Sequence, residues 1–141
     1  MTVLDVSNLT KIYGEGCPDC LDLTGPEMGR NQCPECGSVV ACADVDFEVF
    51  QGEVLGIVGE SGSGKSSVAE MLSLDLEATA GSVDYHAIDG DLLETDYQQR
   101  RELQDFHVGM VHQHVRDGLN LDFSGGGNVA EKLLSAGWRD Y

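Results

Sequence analysis

Residues 59–67 read GESGSGKSS and satisfy the spacing G-x-x-x-x-G-K-[ST] with Gly59, Gly64, Lys65 and Ser66. The chemistry that this spacing serves is the grip of a polyphosphate. Glycines allow the main chain to wrap closely around phosphate oxygens at dihedrals a side chain would forbid. Consecutive N–H groups and a helix start then present positive potential to the anion. Lys65 supplies a charge for the β- and γ-phosphates and the Ser66 hydroxyl a ligand for magnesium (Mg2+), while Ser61, Gly62, Ser63 and Ser67 complete the loop. The flanks agree. VLGIVG (54–59) is a continuous apolar run, as in a strand buried on both faces, and SSVAEMLSL (66–74) predicts a helix. Strand, glycine loop, lysine and helix in that order separate a phosphate loop from a glycine-rich turn without function.

A second constellation lies upstream: Cys17-x2-Cys20-x12-Cys33-x2-Cys36. Two C-P-x-C knuckles at this separation have the form of a zinc ribbon, in which four thiolates surround one Zn2+ tetrahedrally. Four cysteines leave no open position, so such a site is structural and not catalytic. Disulfides are the competing reading; they are disfavoured inside cells, and two such short pairs would staple little. An iron–sulfur centre is a further alternative. Cys42 falls outside the pattern, on a strand, and reads as a small core residue.

These groups need a scaffold, and the chain supplies an α/β one. Residues 2–13 alternate loosely (Val3, Leu4, Val6, Leu9, Ile12) and predict an edge strand. Residues 14–38 lose all period and form an insertion carrying the cysteines. Alternation returns at Val45, Phe47 and Val49, so the two strands make an antiparallel edge hairpin around the insertion. Downstream, GSVDYH (81–86) predicts a strand and TDYQQRRELQDF (95–106) a helix opened by a capping box, Thr95-x-x-Gln98. VGMVHQ (108–113) predicts another strand, and NVAEKLLSAG (128–137) a helix.

Charge restricts the partners. With 25 acidic against 8 basic residues, net −17 over 141 residues, the surface repels nucleic acid and anionic membranes. The acidity is spread along the chain, the composition of a halophilic protein from a salt-accumulating cytosol, where salt screens self-repulsion. No apolar run approaches the roughly 20 residues of a membrane span, and no basic stretch leads into an apolar one at the start. The expectation is a cytoplasmic protein with no nucleic-acid partner and no direct membrane insertion.

GEVLGIVGESGSGKSS closely resembles the nucleotide-binding loop of ATP-binding cassette (ABC) ATPases, in particular those near the oligopeptide-transporter group. The resemblance implies a P-loop NTPase fold, here incomplete, and ATP with Mg2+ as its ligands. It also implies roles for two further residues. Gln113 matches the family's Q-loop glutamine, which contacts magnesium and the attacking water, and Tyr13 matches an aromatic residue that stacks on adenine. After the glutamine, HQHVRDGL followed by GGNVAEKLL resembles the ATP-binding subunit of the carbon–phosphorus lyase system for phosphonate breakdown, over nearly the whole chain. That implies carbon–phosphorus lyase core subunits and a second ABC subunit, in a head-to-tail dimer, as partners. The alternatives are the ATPase of an oligopeptide or nickel importer and a zinc-ribbon binding module on a hydrolysis-dead nucleotide fold.

DFSGGGNVAEKL (122–133) looks like the family's signature loop, L-S-G-G-Q. In the family that loop lies roughly fifty or more residues beyond the Q-loop, whereas Ser124 follows Gln113 by 11. The resemblance therefore makes SGGGN a look-alike. Residues 1–141 would be the N-terminal part of one nucleotide-binding domain, with a zinc ribbon at 14–38 inserted in it. They would lack the signature, the Walker B carboxylates and the switch histidine, so the chain alone would bind ATP without hydrolysing it. Apolar surface meant for missing strands would be exposed.

Overall fold

The computed structural model describes residues 1–138, which fall into two compact units, one of Met1–Thr95 and one beginning at Asp96. The first is built on a three-stranded antiparallel sheet of β1 (Thr2–Tyr13), β2 (Val39–Phe50) and β3 (Ala80–Tyr85), in the order β2-β1-β3. The first strand is thus central and not an edge strand. Both of its sides carry hydrogen-bonded partners, with Leu4 opposite Val49 on one and Tyr85 on the other. Alternation within one strand cannot reveal this, because a half-buried central strand and an edge strand share the same period.

Along β1 the inward positions Val6 and Leu9 are fully buried, joined by Val83 of β3. Helix α1 (Lys65–Leu72) adds Val68 and Met71, three positions apart and so on one face, and Leu74 follows. The β1–β2 register slips between Val6 and Leu9. Side chains satisfy the amides freed there: Asn8 N–H donates to Asp46 Oδ1 (2.6 Å) and Asp44 N–H to Thr10 Oγ1 (3.0 Å). Beyond β3, one Asp91 carboxylate oxygen accepts from both Val83 N–H and Leu93 N–H at 2.9 Å, seating the buried Leu92 against the sheet.

The run 54–59 is not a strand. It has no ladder, and its side chains are open to solvent, Val54 at 96% and Val58 at 92%. A fully apolar strand needs neighbours on both edges and both faces, and the described residues of this unit provide none. Without such neighbours the run stays exposed.

The second unit contains α2 (Tyr97–Phe106) and α3 (Gly125–Ser135). The capping box lies one residue later than predicted. Asp96 accepts from Gln99 N–H (2.8 Å) and Gln99 Oε1 accepts from Asp96 N–H (3.1 Å). Thr95 instead donates to the Leu92 carbonyl (2.9 Å), closing the preceding turn. Residues 108–113, predicted as a strand, are irregular. SGGGN opens α3: Ser124 is its N-cap, accepting from Gly127 N–H (3.1 Å), and the three glycines form the first turn, earlier than the predicted start at 128. Lys132 of α3 pairs with Asp105 of α2 at 3.3 Å.

Gly81 enters β3 at a φ of 105°, where an added Cβ would lie 2.6 Å from Leu9 Cα of the central strand. Gly90 has almost the same φ, 106°, and open space around it. Gly81→Ala should therefore cost about 1–3 kcal/mol more than Gly90→Ala, read as the difference between their urea unfolding free energies.

Candidate functional site

The loop 59–64 is folded by contacts with β2 and by its own lysine. Gly64, with φ 84°, is the N-cap of α1, and a Cβ there would fall 2.1 Å from the Ala41 carbonyl oxygen of β2. Both the left-handed backbone and the close approach require glycine. No side chain caps α1, so the N–H groups of its first turn face outward without intrahelical acceptors. Lys65 Nζ donates to the carbonyls of Gly59 (2.9 Å) and Glu60 (2.5 Å) and to Ser63 Oγ (3.1 Å). The ammonium is thus held over the loop, beside the free amides. An unopposed helix start and a lysine fastened to the loop rim form a cradle for a polyanion.

Tyr13, at the end of β1, comes to the same place. Its hydroxyl lies 3.1 Å from Ser67 Oγ in α1, its ring is partly exposed, and Lys11 Nζ sits 5.1 Å from the ring centroid. Tyr13, Asn31, Val39 and Ala41 line a cleft of about 250 Å³ together with Gly62–Ser67. Ser61 and Ser66 are exposed, and Ser67 is buried by its place under Tyr13. Cys42, expected in the core, is half-buried and lines a second cleft with Gly59, Ser63 and Lys65. Gln113 is exposed and lies in the second unit, just past the irregular run 108–112. His112 and His114, on either side of it, make no hydrogen bond among the described residues.

The four cysteines converge. Their sulfurs all lie within 4.8 Å of one another, with Cys17–Cys20 at 3.5 Å, Cys17–Cys33 at 3.6 Å and Cys20–Cys36 at 3.4 Å. A disulfide holds its sulfurs about 2.05 Å apart, so these are free thiols. A tetrahedron with metal–sulfur bonds of about 2.3 Å has edges of about 3.8 Å, near the observed spacings. Each knuckle is a closed turn: Cys20 N–H donates to the Cys17 carbonyl (3.2 Å) and Gly37 N–H to the Cys33 carbonyl (2.9 Å). Gly37 has a φ of 77°. Cys20 and Cys33 are buried with Val40, and Ile12 and Leu23 pack against them.

The thiols are electrostatically uneven. Hydrogen bonding with Ser38 holds Cys36 down to about 6. Burial, with the Cys20 thiol, pushes Cys17 up to about 12. At Cys20 the Cys17 backbone N–H pulls the thiol down, but burial and the Cys36 and Cys33 thiols outweigh it, and the value ends above the ordinary one. Four sulfurs this close cannot all be thiolates unless a cation joins them. The donor set therefore fits a soft divalent metal such as zinc.

The family described as "ABC transporter" matches residues 42–135. The chain belongs to the ABC transporter family. The ABC match begins past the four-cysteine segment. The "Putative phosphonates utilization ATP-binding protein PhnK" of Escherichia coli is 42% identical over 99% of this chain, which spans 45% of that protein. The "Glycine betaine transport ATP-binding protein OpuAA" of Bacillus subtilis is 33% identical over 78% of the chain, matching 26% of that protein. The chain therefore spans less than half the length of these relatives. The solved structure titled "Dimeric Structure of MJ0796, a Bacterial ABC Transporter Cassette" superimposes with a TM-score of 0.70 at 22% identity, covering 98% of this chain and 49% of that one. At that identity the likeness establishes the ABC fold alone.

Within this ABC chain, sequence reasoning found the loop and the cysteines but not Asn31, whose only signal was its place two residues before Cys33. The thiol inequality has a chemical readout. A thiol lowered to about 6 is a thiolate above that pH and loses its reactivity below it. In the metal-free chain, alkylation of Cys36 by iodoacetamide should rise as pH passes about 6, while Cys17 stays unreactive at neutral pH. Peptide mapping by mass spectrometry across pH 5–8 checks this.

Proposed function

We propose that this chain is the nucleotide-binding part of a phosphonate-utilisation ATP-binding subunit of the PhnK type, holding MgATP at Gly59–Ser67 and a structural zinc ion at Cys17, Cys20, Cys33 and Cys36. The observation that carries the ATP reading is the loop itself: an uncapped helix start, a glycine seated against β2, and Lys65 poised over the rim. Similarity to the PhnK protein across nearly the full chain supports the subunit type over a general importer ATPase.

The residues divide the work. Backbone amides of Ser61, Gly62, Ser63 and Gly64 and of the start of α1 surround the phosphates. Lys65 would exchange its loop acceptors for β- and γ-phosphate oxygens, and the Ser66 hydroxyl would hold magnesium, which would supply neutralisation of charge on the phosphoryl group. Tyr13 offers its ring face to adenine. The groups named here neutralise phosphate charge and include no general base, so this chain by itself would bind ATP without turning it over. In the complete subunit a head-to-tail partner cassette would supply the signature. Carbon–phosphorus lyase core subunits would be the assembly on which ATP acts, in the cytoplasm.

ATP should bind the chain in concentrated potassium chloride, measured by titration calorimetry, and Lys65→Ala should weaken binding at least about tenfold. Turnover by the unsubstituted chain should not exceed that of Lys65→Ala; Lys65-dependent hydrolysis would show that a catalytic carboxylate lies within these residues. The purified chain should carry one zinc per molecule by atomic emission, and Cys33→Ser should lose both the metal and thermal stability. Retention of full stability after chelation would remove zinc from the proposal. Co-purification with a membrane permease, and not with lyase core subunits, would move the chain to the importer class.

A further inference from the structure

The cysteine segment does not stand apart from the phosphate loop. Leu21, Thr24 and Arg30 share a cleft of about 750 Å³ with Glu60, Ser61 and Gly62. On the Tyr13 side, Asn31 enters the narrower cleft formed with Gly62–Ser67. Its backbone is pinned there: the Asn31 carbonyl accepts from Val40 N–H at 2.8 Å, and the next residue, Gln32, bridges Val39 of β2. Cys33, two residues on, is buried among the sulfurs, and its N–H donates to the Ser38 carbonyl at 2.8 Å. The Asn31 side chain is exposed, and its carboxamide has no partner among the described residues.

We infer that the four-cysteine segment forms the nucleoside-facing wall of the nucleotide site, with Asn31 as a binding residue for the ribose or base of ATP. The inference rests on the ATP reading above and adds to it. Phosphates are taken at the amide end of the cleft, by Gly62–Ser66 and the start of α1. Tyr13, Val39 and Asn31 line the same cleft and bring an aromatic, an aliphatic and a carboxamide residue to it. An aromatic and an aliphatic residue beside a carboxamide that both donates and accepts can meet the base and ribose of a nucleotide, whereas a bare polyphosphate has no base or ribose to place there. Asn31 is held at the cleft by β2, through the Val40 N–H on its carbonyl and the Gln32–Val39 bridge that follows it.

The test compares ATP with inorganic tripolyphosphate by titration calorimetry on the full chain, in its unsubstituted form and as Asn31→Ala, Asn31→Asp and Lys65→Ala. Metal content and circular dichroism confirm that each variant keeps its fold. Asn31→Ala should bind ATP about fivefold to tenfold more weakly and tripolyphosphate as before. Asn31→Asp, which loses the donors and gains a negative charge, should be weaker still for ATP. Lys65→Ala should lose both ligands. Unchanged ATP affinity in Asn31→Ala would overturn the inference, as would an equal loss for ATP and tripolyphosphate, which would mean the loop and not the nucleoside had been disturbed. Failure of the unsubstituted chain to bind ATP would overturn the nucleotide reading and the inference with it.

Discussion

Everything chemical in the first unit hangs on the pairing of β1 with β2. Their ladder runs from Thr2 opposite Phe50 to Tyr13 opposite Val39. At its open end the two strands diverge into the cysteine segment. Along its flank, the Ala41 carbonyl sets how closely Gly64, and with it the start of α1, can approach. Tyr13 and the phosphate loop are far apart in sequence, yet they meet because the hairpin brings the last residue of β1 beside the helix that β2 supports. A slip of one residue in this pairing would turn Tyr13 to the other face of the sheet.

The sulfur cluster closes the end of that hairpin where hydrophobic packing is sparse. Its apolar surroundings are slight, with Val40, Ile12 and Leu23 around the two buried cysteines. A segment rich in glycine, proline and aspartate has little else to bury, so its order depends on the four sulfurs and on short backbone turns. Segment 54–59 shows the opposite condition. Its apolar residues have no counterpart to bury against in the described part of this unit, and they stay in water.

How much of this could be read from the sequence depended on how local the cause was. The phosphate loop and the cysteine knuckles were legible because each is defined by residue type and spacing over a few positions. The β1, β2 and β3 strands and the three helices were also recognised, with end points shifting by a few residues. The shift of the capping box from Thr95 to Asp96 came from a competing hydrogen bond to Leu92, which spacing cannot show. Central against edge placement of β1 depends on a partner, β3, that lies far along the chain, with Leu4 opposite Tyr85 and Thr10 opposite Ala80. The runs 54–59 and 108–113 were misread because apolar, β-branched composition reports a tendency that becomes a strand only when a neighbouring chain accepts its hydrogen bonds.

Lys65 gives the loop a further property. With its ammonium bonded to Gly59, Glu60 and Ser63, the loop is already closed around an internal cation and needs no anion to organise it. A ligand therefore enters as a competitor: it must take over contacts that the ammonium already makes. A single weakly charged oxygen offers too little in exchange, whereas a group with several charged oxygens can meet the ammonium and the neighbouring amides together. A halide, which can accept only at a single centre, would likewise have to displace these loop acceptors to reach the ammonium.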